Sequence, residues 1–191
     1  MLKFVIAMCL IFCSTTFGFL DIYLGNGDTK TNHIKKPSLV NIGISTKLIL
    51  EAENSIIQSQ SKMFTEGIII AINTSDISKF GLSFYGGKNI DDTLFNTNID
   101  FALNIPLLSG VDLITGFNVG ATRIEGADTG CFTYYSTLEP QVGFSFNLSQ
   151  SFSVLFCTSI IYGSLVQSTN KNANIETVNS AYSILFKMGA F

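Results

Sequence analysis

Residues with the chemistry for catalysis or metal binding are few and widely spaced in this chain. The 191 residues include one histidine, His33, which precedes the patterned part of the sequence, so a nucleophile on any later segment would lack a histidine base. Asp128-Thr129-Gly130 has the sequence of an aspartic-protease motif and occurs once, whereas that chemistry needs two carboxylates that share a proton. No Cys, His and acidic residues stand at metal-ligand spacing. The sequence therefore predicts no enzyme, no metal site and no cofactor.

Charged residues are sparse, and several stand on the polar side of segments in which apolar and polar residues alternate. They make up 13% of the chain, and the formal net charge is −3, which gives no electrostatic basis for nucleic-acid binding. If the segments close into a barrel, these charges are predicted to form an ionic network in its interior. We favour structural charge pairing, which keeps buried polar groups satisfied, over a path for protons or ions. The predicted network consists of Lys47, Glu66, Asp100, Asp112, Glu139 and Lys187.

The elements that must position these charges are short segments with a two-residue period. In VGFSFNLSQSFSVLF, residues 142–156, apolar residues alternate with small ones on both sides of a polar break at 147–150. Such a pattern predicts a β-hairpin. Eight segments of this kind follow position 38, each about the 9–11 residues that a tilted membrane-spanning strand needs. None of them has a helical period.

The connections between the segments alternate in length. Short turns follow every second segment and longer connections follow the others, as expected of an up-and-down outer-membrane barrel with tight periplasmic turns and longer outer loops. The predicted long loops cover residues 52–62, 87–97, 123–131 and 166–177.

The composition of the two faces indicates which one meets lipid. One face carries Phe, Ile, Leu and Val, and the other mainly Gly, Ser, Asn, Ala and Thr. Small residues suit the narrow interior of an eight-stranded barrel, and a Lys or Arg on the lipid face would cost about 2–4 kcal/mol at mid-membrane. The sequence predicts an all-β fold, a closed eight-stranded antiparallel up-and-down transmembrane β-barrel. The alternative is a secreted soluble barrel of lipocalin type, in which the apolar face would point inward.

The N-terminus predicts export from the cytoplasm. Residues 1–18 have the pattern of a secretory signal peptide, with a positive start, an apolar core and the small residues Thr16 and Gly18 before the expected cut. A retained membrane anchor is the alternative. Residues 19–37 are predicted to be a periplasmic N-terminal tail or linker, and residues 38–191 the outer-membrane β-barrel.

Two cysteines remain after removal of the signal peptide, Cys131 and Cys157. In the predicted hairpin Cys157 lies near Gln141, so Cys131 is about ten residues, or roughly 33 Å, further along the strand. A disulfide needs Cα atoms within about 7 Å. Both thiols are therefore predicted to be free.

Two stretches resemble a known group of proteins. EPQVGFSFNLSQSFSVLFCTSIIYG, residues 139–163, and the terminal YSILFKMGAF, residues 182–191, resemble the small eight-stranded outer-membrane barrels of the OmpX and opacity-protein type and the surface antigens of rickettsia-like bacteria. The resemblance covers nearly the whole mature chain as a pattern. It implies a C-terminal signal for the barrel-assembly machinery. Phe191, however, has the opposite parity from Phe186. Either a bulge near Gly189 restores the alternation or the signal is imperfect. The residues of this signal are Tyr182, Ile184, Phe186 and Phe191.

Together these features predict a non-enzymatic integral outer-membrane β-barrel of a Gram-negative bacterium, with its loops extracellular. The expected partners are outer-membrane lipid, the barrel-assembly machinery and host surface molecules, and no nucleic acid. The resemblance implies that the loops serve adhesion, host interaction or antigenic display. Two alternatives stay open, a small porin-like channel and the soluble ligand-binding barrel.

Overall fold

The computed structural model of the chain describes residues 40–50, 62–75, 77–126, 130–149, 151–171 and 173–189. The predicted signal peptide, the predicted tail, His33 and Phe191 lie outside these ranges, and the predictions made for them stay predictions. No helix in the described ranges is long and apolar enough to cross a membrane.

Eight antiparallel strands form one closed barrel, in which each strand pairs with the next in the chain and the last pairs with the first. This confirms the predicted all-β, closed, eight-stranded, up-and-down fold. The strands are β1 (Val40–Ile49), β2 (Met63–Asn73), β3 (Ser78–Lys88), β4 (Asp92–Leu108), β5 (Val111–Gly126), β6 (Phe132–Asn147), β7 (Phe152–Ser168) and β8 (Glu176–Gly189).

The connections lie at two ends of the barrel, which we call the loop end and the turn end. At the turn end the β4–β5 connection includes Gly110 at φ +81°, a left-handed conformation that glycine adopts without steric strain. The loop end carries the connections at 50–62, 89–91, 127–131 and 169–175, and the turn end carries those at 74–77, 109–110 and 148–151.

Three of the four predicted long loops are shorter than expected. Residues 87–97 do not form a loop, because Gly87 pairs with Leu94 and only 89–91 connect β3 to β4. Glycine, Asn and Asp in this stretch are typical of loops, but β4 to β7 have 16 or 17 residues each and continue beyond the apolar wall. The loops predicted at 123–131 and 166–177 shrink to 127–131 and 169–175, whereas residues 51–61 lie outside the described part.

The hairpin of residues 142–156 forms where predicted, with its register shifted by two residues. Cys157 lies opposite Gly143 and not beside Gln141. The amides of Leu148 and Ser149 both donate to the carbonyl of Phe152, which moves the turn toward the later strand. A shift of two residues keeps every side chain on its predicted face, and the prediction that Cys131 and Cys157 are free thiols is confirmed.

Proline inside a strand removes a ladder hydrogen bond and often marks a bulge, but Pro140 of β6 does not shift the register. On either side of it the register with β7 is the same, since Leu138 lies opposite Tyr162 and Gln141 opposite Ser159. The missing N–H of proline is therefore accommodated without an extra residue. The register of this hairpin shifts at Tyr134–Tyr135 instead.

The outer wall of the barrel is apolar along most of its height. Ile44 and Phe64 expose 59% and 63% of their surface, while their inward-facing neighbours Ser45 and Thr65 each expose 1%. Successive side chains of a strand point to opposite faces, so the alternation in the sequence becomes an apolar exterior. This confirms the predicted orientation of the two faces, which is the reverse of what the soluble alternative requires. Further members of the wall are Ile68, Ile70, Ile72, Phe80, Leu82, Phe84, Ile99, Val119, Val142, Phe144, Phe146, Phe156, Ile160, Phe186 and Met188.

Candidate functional site in the barrel interior

A buried ion pair crosses the interior between two strands that are not neighbours. The ammonium nitrogen of Lys47 on β1 lies 2.8 Å from both carboxylate oxygens of Glu139 on β6, and the side chains expose only 5% and 4% of their surface. Both residues have inward parity on their strands, because Lys47 alternates with the outward Thr46 and Leu48. The pair therefore ties opposite sides of the barrel across the lumen.

Polar side chains from three further strands complete the surroundings of the pair. The hydroxyl of Ser159 donates to Glu139 at 2.6 Å, and the Lys47 ammonium lies 4.3 Å from the centre of the Tyr85 ring. The side-chain amide of Asn118 lies between two carboxylates: in one orientation it donates to Glu139 at 3.4 Å, and in the reversed orientation to Asp100 at 3.0 Å. A buried charge is tolerated when it is paired and hydrogen-bonded in this way.

An apolar layer fills the interior on the loop-end side of the ion pair. The sequence analysis missed it, although its members have inward parity, because the inner face was expected to be polar throughout. Between part of this layer and the ion pair lies a void of about 10 Å³. This void has room for about one water molecule. The layer consists of Ile49, Met63, Leu94, Ile124, Tyr135, Ile161 and Ala181.

A cavity of about 80 Å³ lies on the turn-end side of the ion pair. It is lined by Asp100 and Lys187, two predicted members of the network, and by Lys79, which the sequence analysis missed. Lys79 stands near the start of β3 and shares the inward parity of Gly81 and Ser83. Asp100 accepts a hydrogen bond from Ser83 at 2.9 Å.

The structure brings together only part of the predicted ionic network. Asp112 lies near the turn end, where the Asn147 amide donates to it at 3.0 Å, and neither it nor Lys187 forms a salt bridge with any described residue. The prediction that Glu66 faces the interior is wrong. Glu66 is exposed on the outer wall, because it shares the parity of Ile68 and the other outward residues of β2.

Glycine at some inward positions follows from the close approach of the strands. A Cβ atom at Gly120 would lie 2.0 Å from the carbonyl oxygen of Thr97, and one at Gly116 would lie 2.1 Å from that of Phe101. These glycines are thus packing residues, in agreement with the expectation that small residues fill the narrow interior.

The three described residues of the predicted assembly signal face outward. Tyr182, Ile184 and Phe186 alternate along β8 with exposures of 54%, 40% and 48%. The register of β8 with β1 runs without a shift to Gly189, so the described part of the strand contains no bulge there. Phe191 lies outside the described residues.

The described interior has the features of a packed core. Cys157 is buried beside Gly143 on the neighbouring strand. In the described ranges no three His, Cys, Asp or Glu side chains are grouped so that they could hold a metal ion.

No protein-family model and no curated protein matches the sequence, but solved structures match the fold. The chain is similar to Neisserial surface protein A, with a TM-score of 0.66 and 12% identity over 82% of this chain and 100% of that one. It is also similar to the N-terminal β-barrel domain of Pseudomonas aeruginosa OprF, with a TM-score of 0.50 and 11% identity over 80% of this chain and 100% of that one. At these identities the likeness is one of fold, and it confirms the small eight-stranded transmembrane barrel as the architecture.

Proposed function

We propose that this chain is an integral outer-membrane protein whose closed barrel is a scaffold that presents the loop end at the cell surface for adhesion, host interaction or antigenic display. The observation that carries the proposal is a lumen filled by a buried ion pair and an apolar layer, inside a wall of exposed apolar side chains. A barrel with a filled lumen and a lipid-facing wall meets the aqueous phase at its two ends.

The filled lumen argues against the channel alternative. Water and ions need a continuous path, whereas the apolar layer and the Lys47–Glu139 pair occupy the interior. The spaces around them are a void of about 10 Å³ between the layer and the pair and a cavity of about 80 Å³ on the turn-end side. Eight strands leave an interior that side chains can just fill. We therefore expect no steady conductance from the folded protein in a planar bilayer.

The apolar wall argues against the soluble alternative. Burial of a large apolar side chain contributes about 1.5–3 kcal/mol relative to its exposure to water, and the outer wall of this barrel exposes such side chains on all eight strands. Contact with acyl chains removes this cost. The closed strand order also leaves no sheet edge in contact with lipid, which a hydrocarbon environment requires.

The lengths of the strands support display at the loop end. A membrane-spanning strand needs about 9–11 residues, and β4 to β7 have 16 or 17. Their hairpins therefore continue past the bilayer on one side, and the described residues at their tips, 89–91, 130–131, 169–171 and 173–175, are available to host surface molecules. No catalytic group is part of the proposal.

Labelling of intact cells tests which end is outside. In a Cys131→Ser background, a membrane-impermeant maleimide should label Ile90→Cys at the tip of the β3–β4 connection, where Ile90 is 87% exposed. The matched variant Ser109→Cys, in the β4–β5 turn, should react only after the outer membrane is permeabilised. Labelling of Ser109→Cys but not Ile90→Cys on intact cells would reverse the orientation and refute display.

A further inference from the structure

Two cations and three aromatic residues lie on the outer wall near the loop end of β3 to β6. In one cross-strand row Phe95 pairs with Arg123, and Arg123 with Tyr134. In the adjoining row Lys88 pairs with Thr93, Thr93 with Glu125, and Glu125 with Phe132. We call this outward-facing surface the Arg123 patch, and it consists of Lys88, Phe95, Arg123, Glu125, Phe132 and Tyr134.

The guanidinium group of Arg123 is held in place but keeps free donors. Its Nη2 atom donates to Glu125 at 2.9 Å, and its central carbon lies 5.9 Å and 5.8 Å from the ring centres of Phe132 and Tyr134. Arginine has five N–H donors arranged as a fork. Nε is buried, so the donors that a ligand can reach are those of the two terminal nitrogens, on a side chain that is 41% exposed.

The depth of Arg123 matches the boundary of the hydrocarbon. From Val111, the first residue of β5, to Arg123 is 123 − 111 = 12 residues, or about 40 Å along a strand at about 3.4 Å per residue. With a tilt of about 40°, this is about 30 Å along the barrel axis, slightly more than the apolar band of about 25 Å. The outward positions of β5 before Arg123 carry no charge. Along this strand, Arg123 is thus the first charged outward side chain above the acyl region.

We infer that the Arg123 patch binds the phosphate group of a lipid in the surrounding leaflet, which under the proposed function is the outer leaflet of the outer membrane. The fork of Arg123 and the ammonium of Lys88 supply the charge-assisted donors that a phosphate prefers. The aromatic faces of Phe95 and Tyr134 flank the same row and offer apolar surface to the rest of the lipid. The patch lies on the side of the barrel and not at its tip, so the occupant it fits is a neighbouring lipid.

Native mass spectrometry of the full-length barrel, folded in zwitterionic detergent, tests the inference. The probes are bisphosphorylated lipid A, the same lipid after dephosphorylation, and inorganic phosphate as competitor. We expect the phosphorylated lipid to bind about tenfold more tightly than the dephosphorylated one, because hydrogen bonds to charged groups are roughly twice as strong as neutral ones and act here in pairs. Arg123→Gln should remove about this factor, and Lys88→Gln a smaller part of it.

The matched control is Lys171→Gln, which removes an exposed cation of the loop end outside the patch and should leave lipid binding unchanged. Equal retention of the phosphorylated lipid by the wild type and Arg123→Gln would overturn the inference, and so would equal binding of the dephosphorylated lipid. Displacement of lipid A by equimolar inorganic phosphate would show a site for free anions instead. Each of these results leaves the proposed function intact if Ile90→Cys is still labelled on intact cells. If Ile90→Cys is not labelled there, the assignment of the patch to the outer leaflet is overturned.

Discussion

The buried pair Lys47–Glu139 should be strongly coupled, and a double-mutant cycle measures that coupling. The substitutions are Lys47→Met, Glu139→Gln and both together. Lys47→Met leaves the carboxylate of Glu139 with Ser159 and the Asn118 amide as partners, and Glu139→Gln leaves the ammonium with a neutral acceptor and the Tyr85 ring. Removal of one partner from a buried pair costs about 3–5 kcal/mol, since an uncompensated charge stays buried.

The double variant should lose much less than the sum of the single losses. With both charges of the pair gone, the amide at position 139 can still accept from Ser159, and neither member leaves an unpaired charge behind. We expect the double variant to be destabilised by no more than about one single substitution, which corresponds to a coupling energy of at least about 3 kcal/mol.

The assay is urea unfolding of the barrel in lipid vesicles, followed by the gel shift between folded and heated protein. The exposed pair Arg123–Glu125, with 41% and 42% of the two side chains accessible, is the control, and its cycle should give about 0.2–1 kcal/mol. If the effects of Lys47→Met and Glu139→Gln add within about 0.5 kcal/mol, the two charges do not interact across the lumen and the account of the interior is wrong.

Three further predictions concern packing, orientation and assembly. Gly120→Ala should lower the free energy of unfolding by about 1–3 kcal/mol or prevent folding, because the new Cβ atom would lie 2.0 Å from the Thr97 carbonyl oxygen. The control is Gly86→Ala, whose Cβ atom would have its nearest neighbour 4.0 Å away, and it should be nearly neutral in the same urea titration. Glu66→Leu should leave the free energy of unfolding in vesicles unchanged or raise it by up to about 1 kcal/mol, because the Glu66 side chain points outward and lipid disfavours a carboxylate. A large loss of stability would instead place Glu66 in the interior. Deletion of Phe191 should slow assembly in cells without changing folding of the purified chain into detergent, and a loss of folding in detergent would show that this residue is structural and not a signal.

Much of the fold could be predicted from the two-residue period alone. Parity decides which face a side chain occupies. Phe144 faces outward and Ser145 inward, as the alternation of the sequence predicts. Glu66 could have been assigned correctly by the same rule, since it shares the parity of Ile68, but its charge was given more weight than its position. The stretch at 87–97 was misassigned because glycine and Asn favour loops as a tendency, and strand pairing overrides that tendency.

The partners within the interior could not be predicted, because parity says nothing of depth. Lys47 meets Glu139 across the lumen owing to the stagger of the strands around the closed barrel, a property that depends on all eight pairings together. The apolar layer around Met63 and Tyr135 was missed for the same reason. Its members have inward parity, and only the relative heights of their strands bring them into one layer.

The central claim is that the apolar side chains of the strands touch lipid while their alternate neighbours face the lumen. The chain contains no tryptophan, so single Trp substitutions in vesicles of lipids brominated on their acyl chains report directly on this. Fluorescence of Phe144→Trp and Phe156→Trp should be strongly quenched, whereas that of Leu155→Trp, an inward position that lines the turn-end cavity, should not. Quenching at position 155 together with protection at 144 and 156 would contradict the account.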